Sequence, residues 1–306
     1  MNIFVENVDL KSFTGPNHFA RKLVKYLALD GCEFTENKKY DVRLSFIQNR
    51  LKAHIPTVLR LDGIYFNKKQ DYKAQNALIE KSYKESHGVI FQTEFNKDLI
   101  FKYFGEHDNY KIIPNGADLD GLSLISPSRF QLVEKFDKIW MCASMWRPHK
   151  RLEDNIRYFK EHAGEDDCLV IAGHIQYDAN ISHLTRDDNI IFLSQQTPNQ
   201  LASLYKMADN FIHLAWLDHC PNVVVDARAC GCKIICSSAG GTQEIAGDNA
   251  VIIQEDEWDF EPCDLYSPPK LDFNRKTESK FRSEIDMKVV AKQYRGFLEK
   301  VKNENS

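Results

Sequence analysis

The chain has 306 residues, 43% of them hydrophobic and 27% charged, with a formal net charge of −4 and a pI near 6.2. That length exceeds one hydrophobic core and indicates two domains of about 150 residues each. The near-neutral balance leaves no electrostatic footprint for nucleic acid, and no run of about 18 apolar residues or signal-peptide pattern is present, so a soluble cytoplasmic protein is expected. Five of the eight cysteines (Cys142, Cys168, Cys230, Cys232 and Cys236) fall in or beside apolar runs and read as buried, reduced thiols; Cys230-Gly231-Cys232 has no partner pair at zinc-finger spacing.

Ile3-Phe4-Val5 reads as an opening strand. A helix is expected from about Asn17, after the glycine loop Thr14-Gly15-Pro16, because His18, Phe19, Leu23, Tyr26 and Leu27 recur at helical spacing and Gly31 closes the segment. Arg21, Lys22 and Lys25 fall on the outer side of that helix, as a solvated face or else as a patch for weak peripheral membrane contact or acceptor docking. Strands follow over 41–47 and 56–61, the second ending in Asp62-Gly63. That pair reads either as a plain turn or as a ligand position at the carboxyl end of a strand. A helix over 72–87, a strand over 88–92, a helix capped by Thr93 and a short strand over 110–113 complete the first half. Asp118-Leu119-Asp120 follows an Asn-Gly turn and reads as loop, although its letters are those of an Asp-x-Asp metal motif. Periodicity lapses over 121–131, the expected linker between domains 1–125 and 126–284.

The second half alternates strands (138–143, 168–173, 189–193, 210–214, 233–236) with helices (152–162, 198–207 and one opening near Cys220–Asn222). Alternation implies right-handed crossovers and a parallel sheet, so both halves read as Rossmann-like α/β domains with a ligand site in the cleft between them. The segment 257–280 reads as a surface excursion and 285–301 as a final helix. No Gly-x-Gly-x-x-Gly follows the first strand, which argues against a nicotinamide-dependent oxidoreductase.

Three features fall on one edge of the second domain. Asp218 lies in the loop before the helix that Pro221 opens, and Asp226 lies one to two turns inside it, so two carboxylates flank a helix start whose N–H groups, near Asn222 and Val223, favour a phosphate. Arg147, Lys150 and Arg151 follow strand 138–143 and can neutralise a diphosphate, unless they are only an exposed basic loop. Gly240-Gly241 lets backbone approach a ligand, with Thr242 capping a short helix that carries Glu244. Their coincidence favours a nucleotide-diphosphate site.

The succession Pro114-Asn115-Gly116-Ala117-Asp118, Arg147-Pro148-His149-Lys150-Arg151-Leu152, Ile171-Ala172-Gly173, Cys220-Pro221-Asn222-Val223-Val224-Val225-Asp226-Ala227 and Gly240-Gly241-Thr242-Gln243-Glu244 resembles glycosyltransferase family 4, retaining enzymes of the GT-B fold. The resemblance implies transfer of a sugar from a UDP- or GDP-linked donor to a hydroxyl of a carbohydrate, lipid-linked or small-molecule acceptor, without a metal or other cofactor. It implies that Asp218 and Asp226, standing where the family has glutamates, bind donor-sugar and ribose hydroxyls. Lys150 matches the family's phosphate lysine; Arg147 substitutes for a companion arginine whose position holds Met145. Gly15 matches the glycine loop near the diphosphate, and Asp62 stands where many members have a histidine on the donor sugar. Pro221, Asn222, Val223, Gly173, Gly240, Gly241 and Glu244 complete the implied donor site, with Arg60 and His18 as lesser candidates. The final helix is expected to return to the first domain. An epimerase or phosphorylase on the same fold, or a non-catalytic nucleotide-sugar-binding subunit, remains the alternative.

Overall fold

In the computed structural model, which describes residues 1–12, 14–35, 39–51, 55–127, 130, 133–179, 181–183 and 187–305, the chain forms two compact units. One comprises Met1–Asp118, Asp259–Cys263 and Glu284–Ser306, the other Leu119–Trp258 and Asp264–Ser283. The division falls after Asp118, where the sequence reading put it after 125; α4 (Leu119–Ser123) occupies the start of the expected linker, and Gln131 at its end lies outside the described residues.

The first unit contains β1 (Asn2–Glu6), β2 (Glu33–Phe34), β3 (Val42–Phe46), β4 (Thr57–Arg60), β5 (Gly88–Phe91) and β6 (Tyr110–Ile112), all parallel in the order β2-β1-β3-β4-β5-β6. Every residue of β3, β4 and β5 is buried, as expected for a parallel sheet covered by helices on both faces. Those helices are α1 (Gly15–Leu29), α2 (Tyr72–Glu85), α3 (Glu94–Phe104) and α9 (Met287–Glu304). Phe19, Leu23 and Leu27 of α1 and Val290, Tyr294, Leu298 and Val301 of α9 share one core with Ile3, Val42, Leu44 and Val58 of the sheet.

Two expectations are corrected on α1. The helix opens at Gly15 rather than Asn17, because Pro16 tolerates the first turn, where its missing N–H is no loss. Its basic residues do not form one solvated stripe: Lys22 is buried, Arg21 donates to the Ser12 carbonyl at 2.8 Å, and Lys25 is held by Asp118 at 2.5 Å.

The second unit contains β7 (Lys138–Ala143), β8 (Asp167–Ala172), β9 (Ile190–Leu193), β10 (Asn210–His213), β11 (Lys233–Ser237), β12 (Val251–Ile253) and β13 (Lys276–Glu278). Their order is β13-β12-β11-β10-β7-β8-β9, with the β12–β13 pair antiparallel and the others parallel. β13 lies within the stretch 257–280 that reads as a surface excursion; its three exposed residues carry no hydrophobic pattern, and pairing with β12 alone makes them a strand.

The helices of this unit show why the sequence folds as it does. In α5 (Leu152–His162), Leu152, Ile156 and Phe159 recur at helical spacing and are buried, while Glu153 and Asp154 begin the helix and Lys160 and His162 end it, matching its dipole. α6 (Pro198–Tyr205) starts on a capping box between Thr197 and Gln200. α7 (Asn222–Ala229) and α8 (Thr242–Ile245) follow β10 and β11.

Strand order reverses between β1 and β3 in the first sheet and between β7 and β10 in the second. In open α/β sheets, ligands bind outside the carboxyl ends of the strands at such points. Among the described residues, no helix is long and apolar enough to cross a membrane.

Candidate functional site

At the carboxyl ends of β7 and β10, three loops of the second unit are tied together through backbone. Leu217, in the loop after β10, adopts a left-handed φ of 56°. The N–H of Trp216 donates to the His149 carbonyl at 2.7 Å, that of Leu217 to Ala239 at 3.1 Å, and that of Gly241 to Asp218 at 2.8 Å. Gly240, at φ 106°, has no room for a side chain, since a Cβ there would lie 2.6 Å from the Asp218 carbonyl oxygen. Gly173 passes still closer to the loop after β7, where a Cβ would meet the Ser144 carbonyl oxygen at 1.9 Å. Both glycines therefore shape the loops by letting backbone approach backbone.

Lys150 and Asp218 meet at the point where the strand order reverses. Lys150 Nζ donates to Asp218 Oδ2 at 2.5 Å, His213 Nε2 lies 2.9 Å from the same oxygen, and the His219 N–H donates to Oδ1 at 3.0 Å. Burial pushes the Asp218 carboxyl up, but Lys150 and His213 outweigh it and hold the group well below the usual carboxylate range. Burial drives the neighbouring histidines the other way: His213 is lowered, His219 falls to about 4 and His149 to about 3, all three also depressed by Lys150. At neutral pH Asp218 is thus a carboxylate and the three imidazoles around it are neutral.

The basic loop after β7 fits neither sequence expectation, three cations facing a diphosphate or an exposed basic loop. Arg151 is internal: it is 1% exposed, grips Glu255 through two bonds of 2.8 and 2.7 Å, and donates to the carbonyls of Leu214 and Pro269. It therefore anchors the loop and is unavailable to a ligand. Arg147 is exposed and bonds Gln176 Oε1 at 2.9 Å, so Lys150 is the cation of this loop that reaches Asp218.

α7 begins beside the pair. Pro221 occupies the capping position and Asn222 is the first helical residue, within the expected start. The N–H groups of Val224 and Val225 turn back to the Pro221 carbonyl, and Asn222 and Val223 stand at the head of the helix. Asp226, one turn further, is half-buried, and its charge reaches Tyr205 of α6 and Cys230. Thr242 does not cap α8 as expected. Gly241 takes that position, Glu244 lies in the first turn, and the buried Thr242 hydroxyl has no hydrogen-bond partner among the described residues.

In the first unit, Asp62 is more than a turn residue. Arg60 and Gln92 both donate to its Oδ1, the latter at 2.5 Å, while Oδ2 has no hydrogen-bond partner among the described residues. Burial raises this carboxyl despite the adjacent Arg60 guanidinium. Arg60 itself is fully buried, 4.2 Å over the Phe19 ring, and donates to Tyr294 of α9 at 3.0 Å and to Asn115 at 2.6 Å. Gly15 is exposed at the start of α1 and His18 is half-buried one turn on. A cavity of about 400 Å³ opens where the order of this sheet reverses. Asn7, Asn17, Gln48, Arg50, Tyr65 and Gln75 are among its lining residues.

Three of these features escaped the sequence reading. His213 closes an apolar strand and reads as core; the signal available was a histidine at the strand end five residues before Asp218. Arg151 reads like Arg147 and Lys150 in the sequence because its partner, Glu255, is remote along the chain. The Arg60–Tyr294 contact joins opposite ends of the chain.

Residues 127–259 match the family model described as "Glycosyl transferases group 1". No curated protein matches the chain in sequence. Among solved structures, Anabaena Alr3699/HepE, in complex with UDP and glucose, is 14% identical with a TM-score of 0.67 over 98% of this chain and 100% of that one. Sucrose-phosphate synthase from Thermosynechococcus elongatus is 13% identical with a TM-score of 0.66, covering 99% and 92% of the two chains. AviGT4, a glycosyltransferase involved in avilamycin A biosynthesis, is 10% identical with a TM-score of 0.65, covering 99% and 98%. These likenesses establish the GT-B fold, two Rossmann-like α/β units with mainly parallel sheets.

Proposed function

We propose that this chain transfers a sugar from a nucleoside diphosphate donor to an acceptor hydroxyl with retention at the anomeric carbon, as in glycosyltransferase family 4. The observation that carries this reading is the Lys150–Asp218 pair at the reversal point of the second sheet, beside the head of α7. In the reaction, the bond between the anomeric carbon and the diphosphate oxygen breaks, and negative charge grows on the departing diphosphate. The Lys150 ammonium and the N–H groups of Asn222 and Val223 oppose that charge, which we infer makes the reaction metal-independent. Asp218 and Asp226 accept from donor-sugar and ribose hydroxyls respectively, while the Gly240-Gly241 turn and Gly173 set the shape of the loops around them. The acceptor oxygen enters on the face the diphosphate leaves, and its proton passes to the departing phosphate oxygen. UDP is the first nucleotide to test, because similar structures hold UDP or UDP-glucose.

The acceptor side is proposed to lie in the first unit. The amides of Asn7, Asn17, Gln48 and Gln75 together with the Tyr65 ring suit a hydroxyl-rich molecule, and Arg50 suits an anionic substituent. The test is release of nucleoside diphosphate from a panel of UDP- and GDP-sugars with a carbohydrate acceptor screen, with the anomeric configuration of the product read by NMR. Acceptor-dependent release with a retained configuration is expected. Binding without release across the panel overturns the transferase reading in favour of a binding subunit, and free or epimerised sugar without acceptor overturns it in favour of other chemistry.

A further inference from the structure

Asp218 presents a problem that the donor site alone does not solve. Its Oδ2 is held by Lys150 and His213, yet in the proposed reaction Lys150 must turn to the diphosphate. A carboxylate losing its nearest cation in a half-buried site needs other donors to stay ionised and in place. It also stands on a loop with a left-handed residue, Leu217, so its position depends on what ties it down.

We propose that His213 is the positioning residue of Asp218: it donates from Nε2 to Oδ2 and, with the His219 N–H on Oδ1, holds the carboxylate in place when Lys150 moves to the donor diphosphate. This rests on the donor-site reading above. Because Asp218 is ionised and has no proton to give, the 2.9 Å contact requires the proton on His213 Nε2, which fixes the tautomer. His213 is suited to the task because it is the last residue of β10, 4% exposed, in a strand paired with β7 and β11, so its ring is held by the sheet and not by the loop it steadies. The charged and titratable groups facing His213 are Asp218 from the loop that follows it, His149 and Lys150 from the loop after β7, and the buried Cys236 thiol opposite it on β11. Burial and Lys150 disfavour its imidazolium while Asp218 favours it, and the net effect keeps the ring neutral.

The test compares wild type, His213→Phe, which keeps a ring without a donor, and His213→Gln, whose amide nitrogen reaches the Nε2 position. UDP affinity by calorimetry reads the Lys150 contact, and turnover of the donor sugar that the wild type accepts reads Asp218. His213→Phe is expected to bind UDP within about twofold of wild type but to turn over roughly ten- to a hundredfold more slowly, the loss of one hydrogen bond to a charged group. The acid limb of its pH–rate profile is expected to move to higher pH, because Asp218 has lost a donor that favours its ionised form. His213→Gln is expected to recover most of the rate and the wild-type limb. An unchanged rate and limb in His213→Phe, or losses in UDP affinity that match the losses in rate, overturns the proposal as a merely structural role. An independent readout uses the ligand-free wild type: long-range proton–nitrogen NMR is expected to show His213 protonated at Nε2. Protonation at Nδ1 overturns the proposal even if the donor site stands, whereas failure of the wild type to bind any nucleoside diphosphate, with the Nε2 tautomer intact, overturns the donor-site reading instead.

Discussion

Replacing Asp218 by Asn separates binding from catalysis in a way that follows from the geometry. The substitution keeps the shape and an oxygen for His213, but removes the charge that pairs with Lys150 at 2.5 Å. Lys150 is then free of its carboxylate, and an arriving diphosphate no longer meets a negative charge beside it. At an effective dielectric of about 20, one unit charge about 6 Å from a phosphate oxygen contributes roughly 2–3 kcal/mol of repulsion. Both side chains retain some exposure, 19% for Lys150 and 16% for Asp218, so screening is expected. Screening reduces the gain to about 1–2 kcal/mol, roughly five- to thirtyfold in affinity. Asp218→Asn is therefore expected to bind UDP more tightly by calorimetry while donor turnover falls at least tenfold, because a neutral amide accepts sugar hydroxyls less strongly than a carboxylate. Weaker UDP binding with intact turnover refutes the reasoning, since it places Asp218 away from both the phosphate and the sugar.

Gly240→Ala forces a side chain to within 2.6 Å of the Asp218 carbonyl at a φ of 106°, so the loop must shift; turnover is expected to fall more than tenfold, and a wild-type rate argues that this turn does not position Asp218. Arg151→Ala leaves Glu255 buried without its cation, and denaturant unfolding is expected to show a loss of about 3–5 kcal/mol. The histidines give a pH signature: His219 at about 4 and His149 at about 3 lie below their usual 6.5, so the unfolded chain binds more protons between those values. Their stabilising contribution is present above about pH 6.5 and is lost as pH falls towards 4, with at most about 1.4 kcal/mol per pH unit for each group. Melting at pH 7, 6 and 5 checks this, and a His149→Gln, His219→Gln double variant is expected to flatten the trend.

The strands and the helix start around Asp218 were legible because local signals converge there. An apolar run, a Pro221 that tolerates the start of a helix, and apolar residues beyond it specify a strand, a loop and a helix in that order. Lys150 and the Gly240-Gly241 turn were legible for the same reason, each standing just past a strand. What escaped was decided by contacts distant in sequence. Arg151 looks like its neighbour Arg147, and only Glu255 makes one internal and leaves the other on the surface. Lys22 lies at a polar position of α1 yet is buried. The short strands β2 and β12, like β13, contain too few residues for a period-2 pattern and are defined by their partners. Asp62 was legible as a strand-end carboxylate, but its attachment to Arg60, and through it to Tyr294 and Asn115, required the fold.

The central claim is that Lys150 meets a donor diphosphate at the carboxyl edge of the second sheet. Calorimetric titration of UDP and GDP into wild type and Lys150→Ala tests it directly. Removing a charge-assisted contact to phosphate is expected to weaken binding of the preferred diphosphate by about 1.5–3 kcal/mol, roughly ten- to a hundredfold, while the corresponding nucleoside, which has no phosphate, binds both proteins alike. Equal diphosphate affinity for the two proteins would contradict the account.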